Sequence, residues 1–523
     1  MIRSLVALAV LAVAADAQTA PPPDIDRFVS AVMKEFQVPG VGLAIVKDGR
    51  VILAKGYGVR ALGEPAAVDA STLFGIASNT KIITATALAL LVEEGKLEWD
   101  APVVRYLPGF ALSDPYVTRE LTIRDLLVHR SGLGLGAGDL LWWPESTYDR
   151  KEIVRRLRFI PLATSFRNAY AYDNVLYSVA GEVIETVSGQ TWEDFVARRI
   201  LAPVGMTGSN VRHSDSEKAG NVAKTYAEVD GIVRPVPPLS SDNTNPAGGI
   251  NSSAEDMAKW LIVQLDSGRL ADGKRLFSPQ TTTQLWTIVT PIPAGSPPPE
   301  LPFHRSVFSG YALGMGVRDY RGRQMLSHTG GLPGYLSKVT MIPELRLGVV
   351  VLTNQESGAA FNAISYRIVD HYFGATPVDY LAIYKKLSEH GRAAVVAADK
   401  GAVTARDTAS RPSLPLAGYA GTYTDQWYGD VSITEVKASS NVPGKLVIQF
   451  LHTPSLVGDL VHWQHDTFLA RWHDRTLRAD AYVSFALNPD GSIARAKMQA
   501  ASPSVDFSFD FQDLTLRPVR KTR

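Results

Sequence analysis

Strand-like runs near the start and well past the middle of the chain bracket a long helical stretch, and this order most restricts the folds open to it. Val41–Val46 and Val51–Tyr57 are apolar, β-rich runs separated by Lys47-Asp48-Gly49-Arg50, and an Asp-Gly pair so placed is a hairpin signal. Ser78–Leu91 is a strongly apolar helical run broken near Gly95. Helical patterns then dominate to about Gly189, punctuated by Pro108, Gly132 and Gly134. Ser252-Ser253-Ala254-Glu255 ahead of Met257–Leu265 reads as a capping box opening a further helix. Strand patterns return at Tyr311–Val317, Met325–Thr329, Ser337–Ile342 and Leu347–Leu352, before a helix at Asn362–Tyr372. Chain ends that meet in one antiparallel sheet, flanked by helices, satisfy that order and predict an α+β domain with a helical subdomain.

At 523 residues the chain exceeds one ordinary core. Residues 376–414 are rich in Ala, Lys and Arg and end in Arg411-Pro412-Ser413-Leu414, as a helical spacer and linker would. Beyond it, Tyr419–Val519 is a series of short runs with turn signals at Pro443-Gly444 and Pro489-Asp490-Gly491, the spacing of a small all-β barrel or sandwich. The expected division is a leader at 1–17, a main domain at 24–375, the spacer at 376–414 and the β domain at 415–523.

The 53 Lys and Arg almost cancel the 52 Asp and Glu, so nothing in the charge points to nucleic acid or an acidic membrane surface. The chain has no cysteine, which excludes disulfides, thiolate metal sites and a cysteine nucleophile. Met1-Ile2-Arg3, the apolar run Ser4–Ala15 and the Ala15-Asp16-Ala17 pattern read as an export signal. The run is shorter than the roughly 20 residues a membrane span needs. The expectation is an exported protein, periplasmic or secreted, without membrane insertion.

Ser78-Asn79-Thr80-Lys81 opens the strongest helix. Three residues apart on a helix, a hydroxyl and an amine share one face. A serine becomes a nucleophile when a base takes its proton, and a lysine serves once burial or neighbouring cations disfavour its charged form. The position also lies at the positive end of the helix dipole, which suits a developing oxyanion. The plain alternative is that Ser78 caps the helix.

Two further segments bear on that choice. Tyr172-Asp173-Asn174 precedes the helical run Val175–Val187, and Ser327-His328-Thr329-Gly330-Gly331 ends an apolar strand. Ser-x-x-Lys, Tyr-x-Asn and Lys/His-Thr-Gly, in this order, resemble the penicillin-recognising serine hydrolases: class C β-lactamases, DD-peptidases, D-aminopeptidases and esterases of one fold. Leu121–Leu133, Pro246–Asp256 and His328–Tyr335 match as well, and the resemblance covers about Asp24 to Gly374. It implies a β-lactamase/transpeptidase-like fold. It also implies that Ser78 attacks a carbonyl while Lys81 and Tyr172 share the proton transfers, in an order the sequence leaves open. Asn174 would hold a substrate amide or the Lys81 ammonium. His328 would line the strand edge and bond Tyr172 or the leaving group. With Gly330 beside them, the N–H groups of Ser78 and Gly331 would form the oxyanion hole, two donors worth on the order of 3 kcal/mol each.

One departure guides the substrate expectation. His328 stands where β-lactamases and DD-peptidases of this group usually carry Lys, and His is only partly charged near neutrality. The expected function is therefore acyl-enzyme hydrolysis of small amides, peptides (including ones with D-residues) or esters. A true β-lactamase and a non-catalytic peptidoglycan-peptide binder or scaffold are the alternatives. Tyr419–Tyr423, Leu460–Phe468 and Asp506–Asp513 resemble the lipocalin-like barrel often appended to these hydrolases, a module that shapes substrate access or mediates assembly. Homo-oligomer formation is left open.

Other signals fail. Gly268–Lys274 starts like a phosphate-binding loop, but Arg275 replaces the Ser or Thr that would hold magnesium. His452, His462, His465 and His473 lack the carboxylate spacing of a metal site, and His129 reads as a structural hydrogen-bonder. No cofactor and no metal is expected.

Overall fold

The computed structural model of the chain describes residues 20–215, 218–438 and 444–519. The expected leader at 1–17 and Pro443 of the Pro443-Gly444 turn lie outside these residues. Contacts group the chain into two compact units. One runs to Trp99 and adds Ile184–Pro238 and Asn245–Ser388; the other takes Asp100–Val183, Leu239–Thr244 and the chain from Glu389 on.

In chain order the first unit contributes helix α1 (Ile25–Glu35), strands β1 (Gly40–Lys47) and β2 (Arg50–Gly58), and helices α2 (Lys81–Glu93) and α3 (Ala254–Leu265). Strands β3 (Thr290–Pro291), β4 (Ser309–Tyr311), β5 (Gly316–Tyr320), β6 (Arg323–Leu332), β7 (Tyr335–Ile342) and β8 (Leu347–Thr353) follow, then helix α4 (Gly358–Tyr372). The strands form one antiparallel sheet in the order β2-β1-β8-β7-β6-β5-β4-β3. The early and late strands of the sequence thus lie side by side, Val41 opposite Thr353 and Lys47 opposite Leu347.

Helices cover both faces of this sheet. Val41, Leu43 and Ile45 of β1 and Val349 and Val351 of β8 pack with Ile25, Val29 and Val32 of α1 and Ile364, Ile368 and Val369 of α4. Burying each such side chain stabilises the fold by roughly 1.5–3 kcal/mol. On the opposite face small residues let α3 approach closely: a Cβ on Gly348 would come within 2.9 Å of Leu261. The β1–β2 hairpin turns where the Asp-Gly pair predicts, with Asp48 and Gly49 at φ 52° and 77°.

Several local expectations need adjusting. The strand expected at Tyr311–Val317 is the end of β4 and the start of β5, with the chain reversing between them. Gly314, at φ 87°, sits in that reversal against α2, where a Cβ would lie 2.9 Å from Ile82 N. The cap of α3 is Ser253 rather than Ser252, its hydroxyl accepting from Asp256 N–H. The residues that extend helix α2 toward its start, Ala77–Thr80, form a tighter 3₁₀ turn.

In the second unit the stretch from Asp100 to Val183 is mostly short turns and helices, such as Pro115–Glu120 and Arg150–Arg156, so the helical middle is more irregular than its pattern suggests. The C-terminal strands β9 (Gly421–Asp425), β10 (Gly429–Val436), β11 (Lys445–Phe450), β12 (Val457–Gln464), β13 (Thr467–Trp472), β14 (Ala481–Leu487), β15 (Ile493–Ala500) and β16 (Arg517–Pro518) make an antiparallel sheet in the order β15-β14-β13-β12-β11-β10-β9-β16. A bridge from Ala496 on β15 to Leu516, beside β16, brings the two edges together into a nearly closed barrel. Alternate residues point inward and are buried, among them Val431, Ile433, Ile448, Phe450, Phe468, Trp472 and Val483. Within the expected spacer, Tyr380–Ala405 is one long helix whose buried side chain is Tyr380. Among the described residues no helix is long and apolar enough to cross a membrane.

Candidate active site

The turn that carries Ser78 is held from three sides. Upstream, Phe74 and Gly75 pair with Ser252 and Asn251, and Ile76 N–H donates to Ile250 O at 3.0 Å. From β7, the Ser337 hydroxyl donates to Ile76 O at 2.7 Å and accepts from Asn79 Nδ2 at 2.8 Å. From β6, Gly330 leaves no room: a Cβ there would lie 2.3 Å from Ile76 O and 2.9 Å from Ala77 Cβ. Ala77 itself has φ 51°, the left-handed region that non-glycine residues seldom adopt. Such backbone persists where the surroundings over-determine it, and it clusters at functional sites. From Thr72 to Leu91 every residue is buried except Ser78.

Lys81 starts α2 and is 0 % exposed. Its Nζ lies 3.0 Å from Ser78 Oγ and donates to Ala247 O at 2.9 Å. The carbonyl belongs to the Pro246–Asp256 segment, which is tied to α2 again by Thr84 donating to Pro246 O at 2.7 Å. The result is a partly exposed hydroxyl beside an amine withdrawn from solvent, the arrangement that a lysine acting as base would require.

His328 lies on β6 with its ring buried. Nδ1 donates to the neighbouring Thr329 O at 2.5 Å, and Nε2 is 2.8 Å from the Tyr311 hydroxyl on β4. A neutral ring serves both contacts: one nitrogen donates, and the other accepts from the phenol. Tyr311 is a partner that sequence reading missed, since a tyrosine on an apolar strand carries no local signal. Gly331 follows on β6, opposite Leu336.

Tyr172 and Asn174 belong to the second unit. The Tyr172 ring is half-buried and stacks at a tilt on His129, with 4.3 Å between centroids. His129 is fully buried, and its Nδ1 accepts from Asp173 N–H at 3.2 Å, a structural role. Tyr172 O accepts from Gly136 N–H at 2.8 Å. Asn174 Nδ2 donates to Asp139 Oδ2 at 2.8 Å, and the same carboxylate oxygen accepts from Ser508 Oγ at 2.9 Å. Trp142 Nε1 donates to Asp139 Oδ1 at 2.9 Å. Asp139 and Ser508 are also additions to the sequence reading; they are 369 residues apart.

Asp510 is the second buried carboxylate of this region. It accepts from Gly138 N–H at 2.6 Å and Leu140 N–H at 3.2 Å. Burial, with Asp139 and Asp513 nearby, pushes its carboxyl well above the usual range, and the two N–H donors only partly offset this.

Among the described residues no cluster of three or more His, Asp or Glu is arranged to hold a metal. The four C-terminal histidines have separate engagements: His452 stacks on Tyr148, His462 bonds His465 O, the His465 ring lies 3.7 Å from Asp407 Oδ2, and His473 pairs with Asp459.

Comparison with known proteins adds to this geometry. The Beta-lactamase family model matches residues 25–372, and a domain of unknown function, DUF3471, matches 405–518. A protein called unguisins hydrolase ungD, from Aspergillus violaceofuscus (strain CBS 115571), is 29% identical over 499 residues, covering 90% of this chain and 86% of its own. In fold, the chain is similar to an octameric penicillin-binding protein homologue from Pyrococcus abyssi, with a TM-score of 0.59, 21% identity, and coverage of 94% and 99% of the two chains. It is also similar to a D-stereospecific amidohydrolase from Streptomyces sp., with a TM-score of 0.53, 23% identity, and coverage of 68% and 100%.

Proposed function

The chain belongs to the Beta-lactamase family, and from that premise we propose that it is a serine hydrolase cleaving small amides, peptides or esters through an acyl-Ser78 intermediate. The observation that carries this reading is the 3.0 Å separation of Lys81 Nζ from Ser78 Oγ, with Lys81 buried and Ser78 the open residue of its segment. Ser78 Oγ bonds the carbonyl carbon as its proton passes to the Lys81–Tyr172 pair. The carbonyl oxygen becomes an oxyanion held by the Ser78 and Gly331 N–H groups. Collapse expels the amine or alcohol, which takes up the transferred proton, and leaves an ester on Ser78. Water, deprotonated by the same pair, then releases the acid and restores the Ser78 hydroxyl. The position of Nζ supports Lys81 as the first acceptor and leaves Tyr172 to serve the leaving group.

Amide or peptide bonds, including those beside D-residues, are the leading substrates. The relative called unguisins hydrolase supports hydrolysis in this branch, and ester cleavage is the finer alternative the same chemistry allows. His328 favours these over β-lactams: its Nδ1 and Nε2 face Thr329 O and Tyr311, so it does not offer the permanent cation a substrate carboxylate needs. We propose export to the periplasm or medium on the strength of the N-terminal Met1–Ala17 pattern alone.

The test is a rate panel of D-alanyl amides, p-nitrophenyl esters and nitrocefin on the wild type and Ser78→Ala. Turnover of amides or esters that Ser78→Ala abolishes, with nitrocefin slow, is the expected outcome. Nitrocefin as the preferred substrate would establish the β-lactamase reading, and no turnover of any probe would favour the binder.

A further inference from the structure

Helix α2 buries two threonines, and they use their hydroxyls differently. The Thr86 hydroxyl donates to Ile82 O at 2.8 Å, one turn back in its own helix, the default for a threonine in mid-helix. The Thr84 hydroxyl leaves the helix and donates to Pro246 O at 2.7 Å, while its oxygen accepts from Trp192 Nε1 at 3.0 Å. Chemistry fixes both directions, since an indole N–H only donates and a carbonyl only accepts. Thr84 lies three residues beyond Lys81, on the same face of α2. The two side chains therefore grip consecutive carbonyls: Thr84 holds that of Pro246, and Lys81 that of Ala247 at 2.9 Å. The short helix Trp192–Val196 holds the same turn at a second point, where Glu193 Oε1 accepts from Asn245 Nδ2 at 2.9 Å. Thr84, Trp192 and Asn245 are fully buried, and every residue of this arrangement belongs to the first compact unit.

We propose that Thr84, oriented by Trp192, is a positioning residue for the serine reaction: it fixes the peptide that leads into the Ala247 carbonyl, and so sets where the Lys81 amine points. The inference rests on the reading of Lys81 as the base for Ser78. A neutral amine has two N–H bonds and one lone pair. With one N–H committed to Ala247 O, the lone pair is free to take the Ser78 proton across the 3.0 Å to Oγ. After the transfer the same carbonyl faces an ammonium, and a dipole already in place stabilises that charge without reorganising. The Pro246 carbonyl lies in the rigid peptide plane that ends at Ala247, so anchoring it restricts the direction of the next carbonyl. Without the Thr84 hydroxyl, that plane loses its tie to α2 and the Trp192 N–H is left without this acceptor.

The experiment follows fluorophosphonate labelling over a range of probe concentrations, which separates the maximal rate from the affinity for the probe. It compares wild type with Thr84→Val, Thr84→Ser, Thr86→Val, Trp192→Phe and Lys81→Met. Valine keeps the shape of threonine and removes the hydroxyl. Thr84→Val lowers the maximal rate about 5- to 30-fold at unchanged affinity, short of the roughly 10²-fold that an ångström of misplacement costs. Thr84→Ser restores most of the rate, Trp192→Phe falls between, and Thr86→Val labels as wild type does. A wild-type rate in Thr84→Val overturns the assignment, as do equal losses in Thr84→Val and Thr86→Val, or a loss that Thr84→Ser leaves unrepaired. If Thr84→Val does not fold, Trp192→Phe decides: a slower maximal rate at unchanged affinity supports the assignment, and the wild-type rate overturns it. Labelling of Lys81→Met at the wild-type rate would instead remove the base reading beneath the proposal, a failure distinguishable from the first.

Discussion

Gly330 lies so close to Ala77 that a Cβ on the glycine would approach the Ala77 Cβ to 2.9 Å and the Ile76 carbonyl oxygen to 2.3 Å. Strand β6 thereby sets the position of the turn that presents Ser78. Neither neighbour can yield cheaply: one is backbone and the other sits in left-handed conformation. Gly330→Ala should lower kcat/KM by about 10²-fold, because displacing a reacting atom by an ångström costs that order. The steady-state rate on the best amide or ester, with circular dichroism confirming a folded protein, checks it.

Lys81 is buried between Ser78 Oγ and Ala247 O. Lys81→Met keeps the bulk of the chain and removes the amine. The expected loss is about 10²- to 10⁴-fold in kcat/KM, the range general-base removal produces. The rate of fluorophosphonate labelling at Ser78 should fall with it.

How much of this was readable beforehand depended on distance along the chain. Ser78 and Lys81 were legible because one helical turn joins them, and the β1–β2 hairpin because Asp48-Gly49 needs no distant partner. The late strands were legible from apolar runs, yet the reversal inside Tyr311–Val317 was not, since Gly314 there answers to helix α2 rather than to its own neighbours. The Asp139–Ser508 and Asp510–Gly138 bonds leave no trace in sequence, because each joins segments more than 360 residues apart. Lys338 misleads outright. A lysine on a strand suggests solvent, whereas this one is buried, bonded to Asn362 Oδ1 at 2.5 Å, with its amine 4.5 Å from the Tyr366 ring centroid.

Asp139 should act on catalysis through Asn174. Asp139→Ala frees the Asn174 amide to rotate and leaves the Ser508 hydroxyl without this acceptor. A loss of about 1–3 kcal/mol of stability is expected for each buried partner stranded. Ser508→Ala should be milder and leave Asn174 in place. Thermal unfolding and the split between kcat and KM separate the two: Asp139→Ala should lose kcat, Ser508→Ala mainly stability.

Asp510 has a carboxyl raised by burial and by its acidic neighbours. A raised carboxyl holds its proton in the fold more tightly than in the unfolded chain, so its contribution is complete below about pH 4 and is lost as pH rises through the elevated folded value. Asp510→Asn should flatten that decline. Melting temperatures from pH 4 to 8 test it, and identical slopes in the two proteins would contradict the assignment.

Lys338 carries the opposite sign. Burial first, and Arg318 second, bring its ammonium down from 10.5 to about 7. The stability associated with the neutral amine is present above the unfolded value and lost as pH falls through about 7. Lys338→Met should therefore melt higher than wild type at pH 6, with the gap closing toward pH 10.

The central claim is a covalent acyl bond at Ser78. Intact-mass spectrometry of the protein quenched with a slow ester or fluorophosphonate, followed by peptide mapping, tests it most directly. One adduct per chain on the peptide holding Ser78, absent from Ser78→Ala, is the predicted result. An adduct mapped to another residue, or equal modification of both proteins, would contradict it.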